Sequence, residues 1–129
     1  MMVNIKQITA LKLLQESHTT LRCKEFRPIL EKAMGEYNSE RYDECMEILR
    51  SAPSSESVFS NLIERLKGKS VHTTLKRMAA KKDTSSLTEM KALFSLGTHV
   101  IIDCEQGITE SAILLPDIYE RIGKLIPEI

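Results

Sequence analysis

The sequence has no tryptophan, only three phenylalanines and three tyrosines, five glycines, four prolines and three cysteines. So few aromatics argue against a sandwich of aromatic and β-branched strands, whereas plentiful leucine, isoleucine and methionine suit interdigitating helices. The cysteines, Cys23, Cys45 and Cys104, are odd in number and widely spaced. This excludes the dense, even framework of a small disulfide-stapled secreted domain, and the expectation is reduced thiols in the cytoplasm or nucleus. Neither sign of charge is in excess: 18 Lys and Arg balance 18 Asp and Glu, so the whole-chain field calls for no strongly charged partner. No apolar run approaches the roughly 18 to 20 residues that span a bilayer. The start of the chain shows no signal-type apolar block with a cleavage site, so neither membrane insertion nor export is expected.

What is present is enough to fold. The 129 residues, 42% hydrophobic and 28% charged, are expected to form one domain over 1–129 with a continuous core. The apolar last residue and the Met1-Met2 start fit an excised piece of a larger protein as well as a short natural one.

Helical spacing runs through most of the chain. Asn4 and Gln7 open a first helix, with Ile5, Ile8, Leu11 and Leu14 on one stripe to about Ser17. A second helix carries Phe26, Leu30, Ala33, Met34 and Tyr37, with Pro28 in its first turn, where a missing N–H costs little. Ser39 is the expected N-cap of a third, with Tyr42, Cys45, Met46, Leu49 and Ala52 inward and Pro53 as its stop. Ser54 and Ser55 cap a fourth, with Val58, Phe59, Leu62, Ile63 and Leu66 inward and Gly68 beyond its end. Ser70 opens a fifth with Val71, Leu75, Met78 and Ala79, and Lys81 to Ser85 read as a loop. Ser86 and Glu89 make a capping box for a long sixth helix reaching Gly107. The β-branched run Val100-Ile101-Ile102 leaves a small hairpin near Val100 to Leu114, hence an α+β fold, as the alternative. The last helix begins near Thr109 and is kinked or restarted at Pro116. The predicted fold is therefore an all-α bundle or array of about six to seven helices, with Leu30, Tyr42, Leu49, Phe59, Leu62, Leu75, Leu93 and Ile118 in its core.

Chemistry-bearing patterns are weak. Lys67-Gly68-Lys69-Ser70 resembles the tail of a phosphate-binding loop, but Ile63 stands where the motif needs glycine and a helix precedes it. His18 with Cys23, and His99 with Cys104, are each five positions apart, which on a helix puts the side chains off a common face; no metal or other cofactor is expected. Cys45 falls on an apolar stripe, where a thiol is a core residue first. Asp43 and Glu47 read as solvated surface rather than an acid/base pair. No catalytic residues are assigned, and the protein is read as a non-enzyme.

Charge is segregated along the chain. Glu31, Glu36, Glu40, Asp43, Glu44 and Glu47 crowd the second and third helices, and no acidic residue interrupts the stretch from Arg65 to Lys82. Lys69, Lys76, Arg77, Lys81 and Lys82 are the candidate phosphate contacts if the domain associates with nucleic acid. Cations near helix C-termini also complement the helix dipole, and the few aromatics argue against single-strand stacking.

The stretch from Tyr37 to Pro53 resembles the second half of a tetratricopeptide unit. Tyr37 and Tyr42 stand at the aromatic positions, Cys45 and Ala52 at small packing positions, and Glu40 where the turn glycine usually is. No second copy follows at the period of about 34 residues. Tyr42 through Lys82 is also similar to the helical dimerisation domain of telomere-repeat-binding factors. Either resemblance implies a protein-binding helical scaffold. The expected function is thus a protein-protein interaction or assembly module that binds a peptide or partner helix, or a second copy of itself. Its expected contact element is the final helix, through Leu115, Ile118, Tyr119, Ile122 and Ile126.

Overall fold

Pro53 and Gly107 fall between helices, each just beyond the end of one. The computed structural model describes residues 5–67, 71–80 and 84–125 and, within them, all side chains except those at 5–11, 66–67, 78–79 and 84–86. Among these residues the fold is all-α, 84% helical with seven α-helices and no strand. They are α1 (Ile5–Thr20), α2 (Arg27–Asn38), α3 (Tyr42–Ser51), α4 (Glu56–Lys67), α5 (Val71–Ala80), α6 (Thr84–Glu105) and α7 (Leu115–Leu125), with a 3-10 segment (Thr109–Leu114) before the last. The hairpin alternative fails because α6 runs unbroken through Val100 to Glu105. β-branched residues are tolerated in a helix that is buried all round, where packing outweighs propensity.

The long α6 is the centre of the assembly. Every residue from Ala92 to Val100 is buried, and α1, α3, α4, α5, α7 and the 3-10 segment all pack on it. Leu30, Leu49, Phe59, Leu93 and Ile118 are core residues, each contributing about 1.5–3 kcal/mol by burial. Tyr42 and Leu75 are half-buried against that core. Leu62 is only half-buried, and Val58 is 51% exposed, so the fourth helix presents a narrower stripe than its sequence suggests. α4 approaches α6 closely where Phe59 lies over Gly97.

Two helix ends share one geometry. At the end of α6 the Ile108 N–H donates to the Asp103 carbonyl (2.9 Å) and the Gly107 N–H to the Cys104 carbonyl (3.0 Å), with Gly107 at φ 87°. At the end of α2 the Arg41 N–H donates to the Glu36 carbonyl (2.9 Å) and the Glu40 N–H to the Tyr37 carbonyl (3.0 Å), with Glu40 at φ 63°. Both are Schellman caps, whose left-handed residue is usually glycine. This corrects the expected N-cap of α3: Ser39 closes α2, and Arg41 precedes α3. α1 also runs a turn beyond Ser17, its end held by the Arg27 guanidinium, which donates to the carbonyls of His18 and Leu21.

Relieving the left-handed residue should stabilise the protein. A non-glycine side chain in that region costs about 1–2 kcal/mol, and the added freedom of glycine in the unfolded chain returns part of it. Glu40→Gly is expected to gain about 0.5–1 kcal/mol in a urea titration. A loss of stability would show that Glu40 is held there by a contact worth more than the strain.

Candidate functional site

Buried polar side chains must be satisfied inside the protein, and α6 carries three buried ionisable ones. At its first turns Glu89 is fully buried, and its Oε1 accepts from Arg121 Nε of α7 at 2.9 Å. Near its end Asp103, also fully buried, accepts from the Arg22 backbone N–H and the Ser111 hydroxyl, both at 2.7 Å. That carboxylate ties the α1–α2 turn and the 3-10 segment to α6. One turn earlier His99 stacks on Phe26, ring centroids 4.1 Å apart, and its Nε2 donates to the Pro53 carbonyl at 2.9 Å. A carbonyl can only accept, so Nε2 carries the proton and Nδ1 is the bare nitrogen, without a hydrogen-bond partner among the described residues. These three groups are used to join elements, and none opens onto solvent as a catalytic group would.

Burial pulls the His99 pKa below its ordinary value, against the opposing pull of the Pro53 carbonyl and the Asp103 and Glu25 carboxylates. A depressed histidine pKa means that the unfolded chain binds the proton more readily. Its contribution is therefore complete above the unfolded value of about 6.5 and is lost as pH falls from there through the folded value. The urea midpoint is expected to drop between pH 7.5 and pH 5, and the drop should shrink in His99→Phe. A midpoint with the same pH slope in both proteins would exclude His99 as the cause.

Cys23 and Cys45 are buried and Cys104 is half-buried. Burial, helped by the Glu36 charge, pushes the Cys45 thiol up to about 12, which removes the thiolate that nucleophilic or metal chemistry requires. Among the described residues no group of three His, Cys, Asp or Glu is placed to hold a metal ion, and no helix is long and apolar enough to cross a membrane.

Two depressions of the surface lie between α1 and the α7 region. α1 packs mainly on α2, α6 and the 3-10 segment and meets α7 along a short seam, leaving a groove. One depression, of about 210 Å³, has Lys12, Leu13 and Glu16 of α1 as one wall and Asp117, Glu120, Arg121 and Lys124 of α7 as the other. A second, of about 380 Å³, continues it between Glu16, Thr19 and Thr20 on one side and Ile113, Leu114 and Asp117 on the other. Glu16 and Asp117 line both, so the two depressions adjoin, and their walls run antiparallel. Ile113 stands 74% exposed beside them, an apolar side chain with no burial of its own.

The candidate contact residues of the final helix divide. Ile118 and Ile122 are fully buried core residues, which removes them as surface contacts; Leu115 and Tyr119 are half-buried against that core, and Ile126 lies outside the described residues. The apolar excess of this stretch arises because it spans two elements of different twist, and the restart at Leu115 turns Ile118, Ile122 and Leu125 inward. The α7 wall of these depressions is made by the neighbouring stripe, Asp117, Arg121 and Lys124, spaced i, i+4, i+7, with Glu120 beside it. That polar stripe was readable in the sequence, but its facing wall on α1 was not.

Of the candidate phosphate contacts, Lys76 and Arg77 are exposed on α5, and Lys69, Lys81 and Lys82 lie outside the described residues. Of the acidic residues of α2, α3 and the turn between them, three are paired, whereas Glu40, Asp43 and Glu44 make no ion pair among the described residues. Glu36 pairs with Arg41, Glu47 with Arg50, and Glu31 with Arg27 at 3.3 Å. The hydrogen bonds from Arg41 and Arg50 hold the Glu36 and Glu47 carboxyls below their usual range. No family model, curated protein or solved structure matches this chain.

Proposed function

We propose that this protein is a non-catalytic protein-interaction module that receives its partner in the groove between α1 and α7. The observation that carries this reading is the pair of adjoining depressions along that seam, with exposed Ile113 at one end and charged side chains on both walls. The inert Cys45 thiol and the inward commitments of His99, Asp103 and Glu89 support a role without chemistry. The tetratricopeptide-like stretch supports a scaffold role too, since Tyr37 and Tyr42 meet at 5.5 Å across a tight helical turn.

The test immobilises the folded chain and an Ile113→Arg, Thr19→Arg variant side by side in lysate, with sedimentation at several concentrations to read self-association. Both substitutions sit at exposed positions, where effects on folding are within about 0.5 kcal/mol. A protein, or a second copy of the chain, held by the first and released by the second supports the groove. Identical capture by both removes the groove as the contact surface.

A further inference from the structure

We infer that the segment joining α3 to α4 is held to α6 by an acid-released latch, in which His99 leaves Pro53 for Asp103 when its ring takes up a second proton. This stands apart from the groove and borrows nothing from it.

The segment has little else to hold it. Residues 52–55 connect the two helices without regular structure, and Pro53 has no N–H to give. Among the described residues, the hydrogen bonds of 52–55 run to their own flanking helices, apart from the one that the Pro53 carbonyl accepts from His99 Nε2 at 2.9 Å. Pro53 and Ser55 are exposed and Ser54 is half-buried. The latch is thus a single donor on α6, whose ring is kept in place by lying flat on Phe26, with 5° between the planes.

That arrangement suits only the neutral ring. His99 is 4% exposed, and its Nδ1 is buried without a partner among the described residues. A second proton makes Nδ1 a donor, and where the ring stands it has no acceptor, which is costly for a buried charged group. The missing acceptor lies one turn along the same helix. Asp103 Oδ2 is taken by the Arg22 N–H and the Ser111 hydroxyl, but Oδ1 is buried and without a partner among the described residues.

The two unpartnered atoms do not reach each other as the ring now lies. His99 and Asp103 are nevertheless i, i+4, the spacing that makes side chains neighbours on a helix. Turning the imidazolium toward Oδ1 satisfies both atoms, keeps the bonds to Oδ2 and gives up Pro53. The charged groups acting on the ring are Asp103 on its own helix and Glu25 in the turn before α2, both anionic; the α3–α4 segment contributes the Pro53 carbonyl. No cation is among them to oppose the new pair. α4 itself stays on α6 through Phe59 and Ile63, both fully buried, so the release is confined to the link.

The experiment follows the ¹⁵N-labelled chain by NMR from about pH 7.5 to about pH 4.5, a range that brackets the ordinary histidine value. At the upper end the ring nitrogen shifts should report the Nε2–H tautomer, with NOEs from the ring to Pro53 and Phe26. As the ring charges, the NOE to Pro53 is expected to vanish. With the same midpoint, the order parameters of the Ser54, Ser55 and Glu56 amides should fall from about 0.85 to below about 0.6, while those of Phe59 to Ile63 hold. His99→Gln keeps a side-chain donor for Pro53 and does not titrate, so the fall at 54–56 should be absent there. A charged ring still in contact with Pro53 overturns the inference, as does a ring that stays neutral to the lower end of the range. Loss of order at Phe59 to Ile63 in step with the link also overturns it, since that is unfolding rather than release, and so does a fall that persists in His99→Gln. The first three results are read on the wild-type chain, so they decide the matter even if the variant does not fold.

Discussion

Arg121→Met is expected to lower the stability of the fold by about 3–5 kcal/mol, because it strips a fully buried carboxylate of its cation. Glu89 is 0% exposed and sits at the start of the helix on which five others pack. Methionine fills the volume of the arginine stem but offers no donor to Oε1. Glu89 keeps a further interaction of its own, which places the loss toward the lower end of that range. The cost comes from the charge left behind, so removing that charge as well should restore most of the stability: Glu89→Leu with Arg121→Met is expected to lie within about 1.5 kcal/mol of the parent. Urea denaturation of the two single variants and the double one completes the cycle. A single-variant loss under about 1 kcal/mol, in the range of exposed pairs, would show that water reaches Glu89 and that the pair is not buried in solution.

Gly97→Ala is the second large effect, and here the sign decides. On helix propensity alone, alanine should stabilise α6 by about 1 kcal/mol. A Cβ at this position would instead lie under 3 Å from three atoms of the Phe59 ring. That ring has nowhere to go: it is fully buried, edge-on to Phe94 at 5.3 Å and stacked on Tyr119 at 5.9 Å. The overpacking costs about 1–3 kcal/mol and outweighs propensity, so the variant is expected to be less stable, and Gly97→Val more so. Gly35→Ala supplies the control, because nothing lies within 4 Å of its Cβ position. It should follow propensity and gain about 0.5–1 kcal/mol. If both alanines stabilise, the close approach of α4 to α6 is wrong.

The helices were legible wherever a local rule decides them. Pro28 in the first turn of α2, Pro53 after α3 and Gly107 after α6 all act where the chain places them. The cap of α3 was misread because Ser39 looks like an N-cap by composition, while the hydrogen bonds of the preceding helix claim it first. Val58 was misassigned because a stripe read from one helix does not say how wide a face its neighbours cover. The acidic residues of α6 were not legible at all. Glu89 reads as the capping-box partner of Ser86 and nothing local marks Asp103 as buried, until Arg121, Arg22 and Ser111 arrive from elsewhere in the chain. The groove escaped for the same reason, since each wall reads as an ordinary polar face and only their juxtaposition makes a channel.

That juxtaposition also fixes when the channel can exist. One wall belongs to the first of the described helices and the other to the last, with all of α2 through α6 between them. On the ribosome α1 emerges early and stands with its groove-facing side unmatched until α7 is made. A partner that requires both walls therefore cannot engage a chain whose α7 has not yet emerged and packed.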